Sequence, residues 1–148
     1  MFCRILVLVP LCLAIVLTTE TARSGDKKEQ EKFEGTWSMV KITGGKGPRK
    51  DREAKFIFKG DKVTFKEGDK TEEATYSVDP TKKPKEMNLH FVFVKEGKKA
   101  TLQGIYELDG DTLKICQFDG VKKAMEGRPK ELVANEETIL AVLKRDKK

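Results

Sequence analysis

The sequence predicts an all-β fold, an antiparallel up-and-down barrel of eight strands, and three observations carry that prediction. Turn signals recur at short intervals between Gly44 and Gly120, among them Gly60-Asp61, Gly68-Asp69, Glu96-Gly97 and Asp109-Gly110. Between them, apolar and polar residues alternate with the period of two that a half-buried strand requires. The connections are short, so strands adjacent in sequence should be adjacent in space, and eight such strands leave no open edge if they close on themselves.

The elements follow in chain order. Met1-Phe-Cys-Arg4 is a short positive start, Ile5 to Leu17 is uncharged and almost wholly apolar, and Thr18 to Ser24 is polar and small. This is the layout of a secretory signal peptide, and the apolar run is short for a bilayer span. Residues 1–24 are therefore expected to be removed, with Ala22 and Ser24 as the small pair before the cleavage point. Cys12 lies inside the apolar run behind Leu11, where a lipidation signal needs a small residue. Residues 25–148 form the expected single barrel domain. It carries no further span and works outside the cytoplasm, in a periplasm or as a secreted protein. Residues 25–33 are mostly charged and read as a short exposed leader.

Strands are expected at Thr36–Thr43, Ala54–Lys59, Lys62–Lys66, Glu73–Val78, Met87–Lys95, Ala100–Leu108, Thr112–Phe118 and Thr138–Lys144. The Gly104–Cys116 segment is the clearest of them: alternating Leu102, Tyr106 and Leu108, a turn at Asp109-Gly-Asp111, then Leu113 and Ile115. Val121–Ala134, with Gly127-Arg128-Pro129 inside it, breaks the alternation and reads as a long loop or one short helix.

Composition narrows the class. The whole chain has 30 Lys and Arg against 24 Asp and Glu, a net charge of +6. Loss of residues 1–24 removes Arg4, Arg23 and Glu20, leaving 28 minus 23, or +5. It also removes Cys3 and Cys12, so Cys116 stands alone and no internal disulfide is available to the exported domain. Stability must then come from the core. The basic residues are interleaved with acidic ones, which reads as a solvated surface, with local positive spots at Lys82-Lys83 and Lys98-Lys99. No aromatic and basic nucleic-acid motif is present, and export argues against such a partner.

Several stretches together resemble one family. They are Phe33-Glu-Gly-Thr-Trp37, Tyr76-Ser-Val-Asp-Pro80, the Gly104–Cys116 block, Arg128-Pro129 and Leu143-Lys-Arg145. The family is the small extracytoplasmic domain of planctomycetes, lipocalin-like and of unknown function. Met87-Asn-Leu-His-Phe91 departs from its usual aliphatic-Asp-aliphatic strand, and Glu131-Leu132 stands where an aromatic is commoner. The resemblance implies fold and compartment and no activity. Gly35-Thr-Trp37 is similar to the Gly-x-Trp of lipocalin first strands, which implies a basic residue of the last strand, here Arg145, packed across Trp37 as a plug of the barrel end.

Function is expected from the inner face rather than from a catalytic set. Alternation sends Trp37, Met39, Phe56, Phe58, Val63 and Phe65 inward, then Tyr76, Val78, Leu89, Phe91 and Phe93. Leu102, Tyr106, Leu113, Ile115, Ile139, Ala141 and Leu143 complete that face. An eight-stranded barrel is either just filled by such side chains or holds one small ligand, and the wealth of Phe favours filling. If a pocket exists, Tyr76, Phe91, Phe93 and Tyr106 are its expected walls, and a small apolar or amphipathic molecule its ligand. The alternative is a structural module that touches anionic envelope polymers through the basic spots. His90, the sole histidine, alternates outward with no nucleophile or orienter nearby in sequence. One His and one Cys are too few for zinc, and the spacing after Asp109-Gly-Asp111 does not continue as a calcium loop. No enzyme, metal or cofactor is expected, and the sequence does not decide the oligomeric state.

Overall fold

Strand reversals are set by glycines that can take a left-handed backbone. Gly110, at φ 55°, closes the hairpin after Asp109, a conformation that side-chain-bearing residues seldom adopt. The computed structural model describes residues 21–47, 53–93 and 97–147. Helix α1 (Thr21–Glu31) leads into eight strands: β1 (Gly35–Gly44), β2 (Ala54–Lys59), β3 (Lys62–Glu67), β4 (Lys70–Asp79), β5 (Lys85–Phe93), β6 (Lys98–Asp109), β7 (Thr112–Phe118) and β8 (Thr138–Arg145). A second helix, α2 (Val121–Glu126), lies between β7 and β8.

Each strand pairs antiparallel with the next, and β1 pairs with β8, so the sheet is a closed barrel. All eight expected strands form, with most ends shifted by a few residues; residues 94 and 95 of the expected fifth strand lie outside the described residues. One feature was invisible to simple alternation. The β1–β8 register slips between Met39 and Lys41, which makes Val40 the extra, exposed residue of a bulge. Trp37 and Met39 face inward before the bulge, and Ile42 faces inward after it.

The up-and-down order gives the barrel two distinct ends. The start of β1, the β2–β3, β4–β5 and β6–β7 turns and the end of β8 lie at one end. The β1–β2, β3–β4, β5–β6 and β7–β8 connections lie at the other.

The first end is closed by α1, which corrects the reading of residues 25–33 as an exposed leader. Phe33 is fully buried and Glu29 is 5% exposed. The Phe33 ring meets Phe58, Tyr76 and Tyr106 at centroid distances of 5.4, 5.7 and 5.2 Å. Burying a phenylalanine ring contributes roughly 1.5–3 kcal/mol, and edge and tilted contacts between rings add to that. The charge-rich sequence hid this because only one residue in the segment is strongly apolar.

A second, smaller core lies outside the barrel. Ile105 and Cys116 are cross-strand partners whose side chains leave the outer face, yet both are fully buried. Helix α2, with Ala124 buried, packs against β6 and β7. Arg128 pins the segment down: it donates to the carbonyls of Met87, at 3.2 Å, and Gly104, and to Asn88 Oδ1 at 2.7 Å. Among the described residues no helix is long and apolar enough to cross a membrane, and no buried side-chain nitrogen or oxygen lacks a hydrogen-bond partner.

Candidate functional site at the open end of the barrel

The closed end fixes what the other end is free to do. Trp37 is fully buried, and its indole Nε1 donates to the Phe33 carbonyl at 2.7 Å. Arg145 is the cross-strand partner of Trp37, and its guanidinium carbon sits 4.2 Å from the Trp37 ring centroid. The same guanidinium donates to the carbonyls of Lys32, at 2.6 Å, and Glu34, and to Asp111 Oδ1 at 3.1 Å. Arg145 therefore stacks on the barrel floor and satisfies carbonyls left over just past α1.

Glu29 holds the helix from the other side. Its carboxylate accepts from Lys32 Nζ at 2.6 Å, Lys85 Nζ at 2.8 Å and the Tyr106 hydroxyl at 3.1 Å. Burial alone would raise its pKa. The hydrogen bonds from Lys32 and Lys85, the Lys85 charge and the Tyr106 hydroxyl outweigh burial and hold it at about 2. Burial and the neighbouring Glu29 charge push the Tyr106 hydroxyl well above its ordinary range. Tyr76 is raised likewise, by burial first and then by Glu34 and Asp61.

Tyr76 and Tyr106 were expected as pocket walls. The structure puts them in the packed closed end, 2% and 1% exposed. Tyr76 is tied to α1 twice, its hydroxyl donating to the Gln30 carbonyl at 3.4 Å and its own carbonyl accepting from Gln30 Nε2 at 3.2 Å. The physical reason is position along the strand: both tyrosines precede a turn that lies at the α1 end. Phe93 ends β5, and its side chain lies outside the described residues. Of the three expected walls whose side chains are described, Phe91 is the one that lines a cavity at the opposite end.

That cavity measures about 260 Å³. It is lined by Met39 and Ile42 of β1, Phe56 of β2, Phe65 and Glu67 of β3, Leu89 and Phe91 of β5, Leu102 of β6, Ile115 and Gln117 of β7, and Ile139 and Ala141 of β8. Three rings form one wall, Phe65 lying 4.9 Å from Phe56 and 5.6 Å from Phe91. The barrel is thus filled at one end and hollow at the other, where the abundance of Phe had favoured filling throughout. Among the described residues, the only polar side chains in the lining are Glu67 and Gln117. Sequence reasoning placed most of these residues on the inner face but missed Ile42, which the bulge turns inward, and Glu67 and Gln117, which continue the inward phase of their strands.

Outside the barrel, His90 bridges two hydroxyls. Its Nε2 pairs with Ser77 Oγ at 3.1 Å and its Nδ1 with Thr101 Oγ1 at 3.0 Å. A serine beside a histidine is the first half of a nucleophile and base arrangement. Its third member here is a threonine hydroxyl, which lacks the negative charge that stabilises an imidazolium. Cys116 is buried, with Sγ 3.7 Å from the Val133 carbonyl, and burial raises its pKa. Such a thiol is shielded rather than activated. No group of three or more His, Cys, Asp or Glu side chains among the described residues is arranged to hold a metal ion.

Fold and cavity together define an eight-stranded antiparallel barrel that is plugged by a helix at one end and open onto an apolar cavity at the other. No family model, curated protein or solved structure matches this chain.

Proposed function

We propose that the protein is an exported, non-catalytic, lipocalin-like binding module that holds one small apolar or amphipathic molecule in the open end of its barrel. The observation that carries this reading is the cavity of about 260 Å³, with ten of its twelve described lining residues apolar. An apolar cavity of about 150 Å³ accommodates benzene, and drug-sized sites begin near 300 Å³. The fit is therefore a molecule of about ten non-hydrogen atoms, or the end of a longer chain whose head stays in water. Export is supported by the layout of residues 1–24: cleavage after Ser24 leaves Glu29, Gln30 and Phe33, the residues through which α1 grips the barrel.

The test is a titration with a small fluorescent apolar probe such as naphthalene, displaced by short-chain compounds. Ala141→Phe places a ring in the cavity and should abolish binding while the barrel stays folded. A folded native protein that binds no probe, or a folded variant that binds as well as native, sinks the reading. N-terminal sequencing of protein recovered outside the cytoplasm tests export, with a start near Gly25 expected.

A second reading is contact with anionic envelope polymers, and it draws on the exposed pairs Lys82-Lys83 and Lys98-Lys99. It requires retention on acidic polymers that falls steeply with salt.

A further inference from the structure

Resting on the cavity reading just given, we infer that Gln117 is the specificity-determining residue of the site. It selects an apolar ligand that carries one neutral hydrogen-bonding head, such as a primary alcohol. The cavity wall is apolar at Leu89, Leu102, Ile115 and Ile139, and Gln117 interrupts it from β7, one inward position above Ile115. Cross-strand pairing sets Gln117 between Gly104 and Ile139. Neither neighbour offers a polar side chain. The Gln117 amide makes no side-chain hydrogen bond with any described residue, although Gln30 and Gln103 both use theirs to hold helices α1 and α2 against the barrel.

An amide carries one acceptor oxygen and two donor hydrogens. When an entirely apolar guest displaces water from it, that amide loses its partners, and the guest must overcome the loss. A guest with a hydroxyl at the same level both donates to the amide oxygen and accepts from its nitrogen. Such a site discriminates chiefly by rejecting the analogue that lacks the polar group. Gln117 lies near the mouth end of β7, which ends at Phe118. The head group is therefore held close to the rim, and the apolar body points down toward Leu89 and Ile115 and the filled half of the barrel.

The experiment compares 4-ethylbenzyl alcohol with 4-ethyltoluene by calorimetry on the native protein, Gln117→Leu and Gln117→Met. Circular dichroism and urea midpoints confirm that each variant is folded, and the methionine variant keeps the length of the side chain. The readout is the ratio of the two dissociation constants, which cancels the general apolarity of each compound. Loss of one hydrogen-bonding partner corresponds to about 0.5–1.5 kcal/mol, so the ratio should move about 2- to 13-fold toward the hydrocarbon in both variants. If both compounds bind and the ratio is the same in all three proteins, the role assigned to Gln117 is wrong and the cavity reading stands. If neither compound binds the native protein and the fluorescent probe also fails, the cavity reading itself falls.

Discussion

Replacing Glu29 by glutamine removes one charge from the joint between α1 and the barrel and leaves the shape of the side chain unchanged. Glu29 is 5% exposed, and its carboxylate accepts from Lys32, Lys85 and Tyr106. Its pKa falls from the usual 4.5 to about 2 in the folded protein. A folded-state value below the unfolded one means that the folded state holds the ionised form more tightly. The contribution is fully present above pH 4.5 and is lost as pH falls toward 2. The size at pH 7 is about 3 kcal/mol, and less than half of that remains at pH 3. In the variant, Lys32 and Lys85 are left without their partner. They stay partly in water, at 61% and 39% side-chain exposure, so the change reports the lost interaction rather than two stranded charges. Urea unfolding followed by the fluorescence of Trp37, the sole tryptophan, gives the stability of both proteins from pH 7 to pH 3. Glu29→Gln should be less stable by about 3 kcal/mol at pH 7, and the difference should roughly halve between pH 5 and pH 3. A difference below about 1 kcal/mol at pH 7, or one that is constant down to pH 3, refutes the idea that this carboxylate latches the helix.

Trp37→Ala should lower stability by about 3–5 kcal/mol in urea unfolding followed by circular dichroism, because a fully buried ring and its hydrogen bond to Phe33 are both lost. Arg145→Lys keeps the charge but cannot span the Lys32 and Glu34 carbonyls together with Asp111, and should lower stability by about 1–3 kcal/mol in the same assay. The Cys116 thiol should react with a disulfide reagent only as fast as the protein opens, and completely once denaturant is added. Rapid reaction of the native protein would show that the loop over Cys116 is not closed.

The strands were legible because a period of two in apolar residues has one structural meaning once short turns bound each run. The bulge at Val40 was not, since an inserted residue changes phase without leaving a mark in composition. Helix α1 was hidden for a different reason. Its grip on the barrel uses a glutamate buried by two lysines and a tyrosine, a glutamine bonded to a backbone carbonyl, and one phenylalanine beyond its end. No hydrophobic pattern reports such a contact. The placement of Tyr76 and Tyr106 was legible in principle. Each lies three residues before the turn that ends its strand, at Asp79 and Asp109, and both turns fall at the end where β1 begins. Counting hairpins along an up-and-down order assigns both to the end of Trp37 and leaves Phe91 at the other. The vacancy itself was beyond the sequence, because it depends on how far the facing rings reach across the barrel.

The hollow end is where stability and binding should oppose each other. A residual cavity forgoes about 24 cal/mol per Å³ of packing, which for about 260 Å³ gives an upper bound of about 6 kcal/mol. The bound is loose because the mouth is open and water recovers part of the loss, yet it is comparable with the whole stability of a small domain. The closed end offsets that deficit with four packed rings, the stacked Arg145 and the Glu29 latch. If the vacancy is a binding site, filling it should help the fold and harm the function. Ala141→Phe should raise stability by about 0.5–2 kcal/mol, as cavity-filling substitutions commonly do, while it abolishes probe binding. Urea unfolding and probe titration on the same preparation decide the matter. A variant that loses binding and also loses more than about 1 kcal/mol of stability was overpacked, which would mean that the open half is already filled and that the space is not a site.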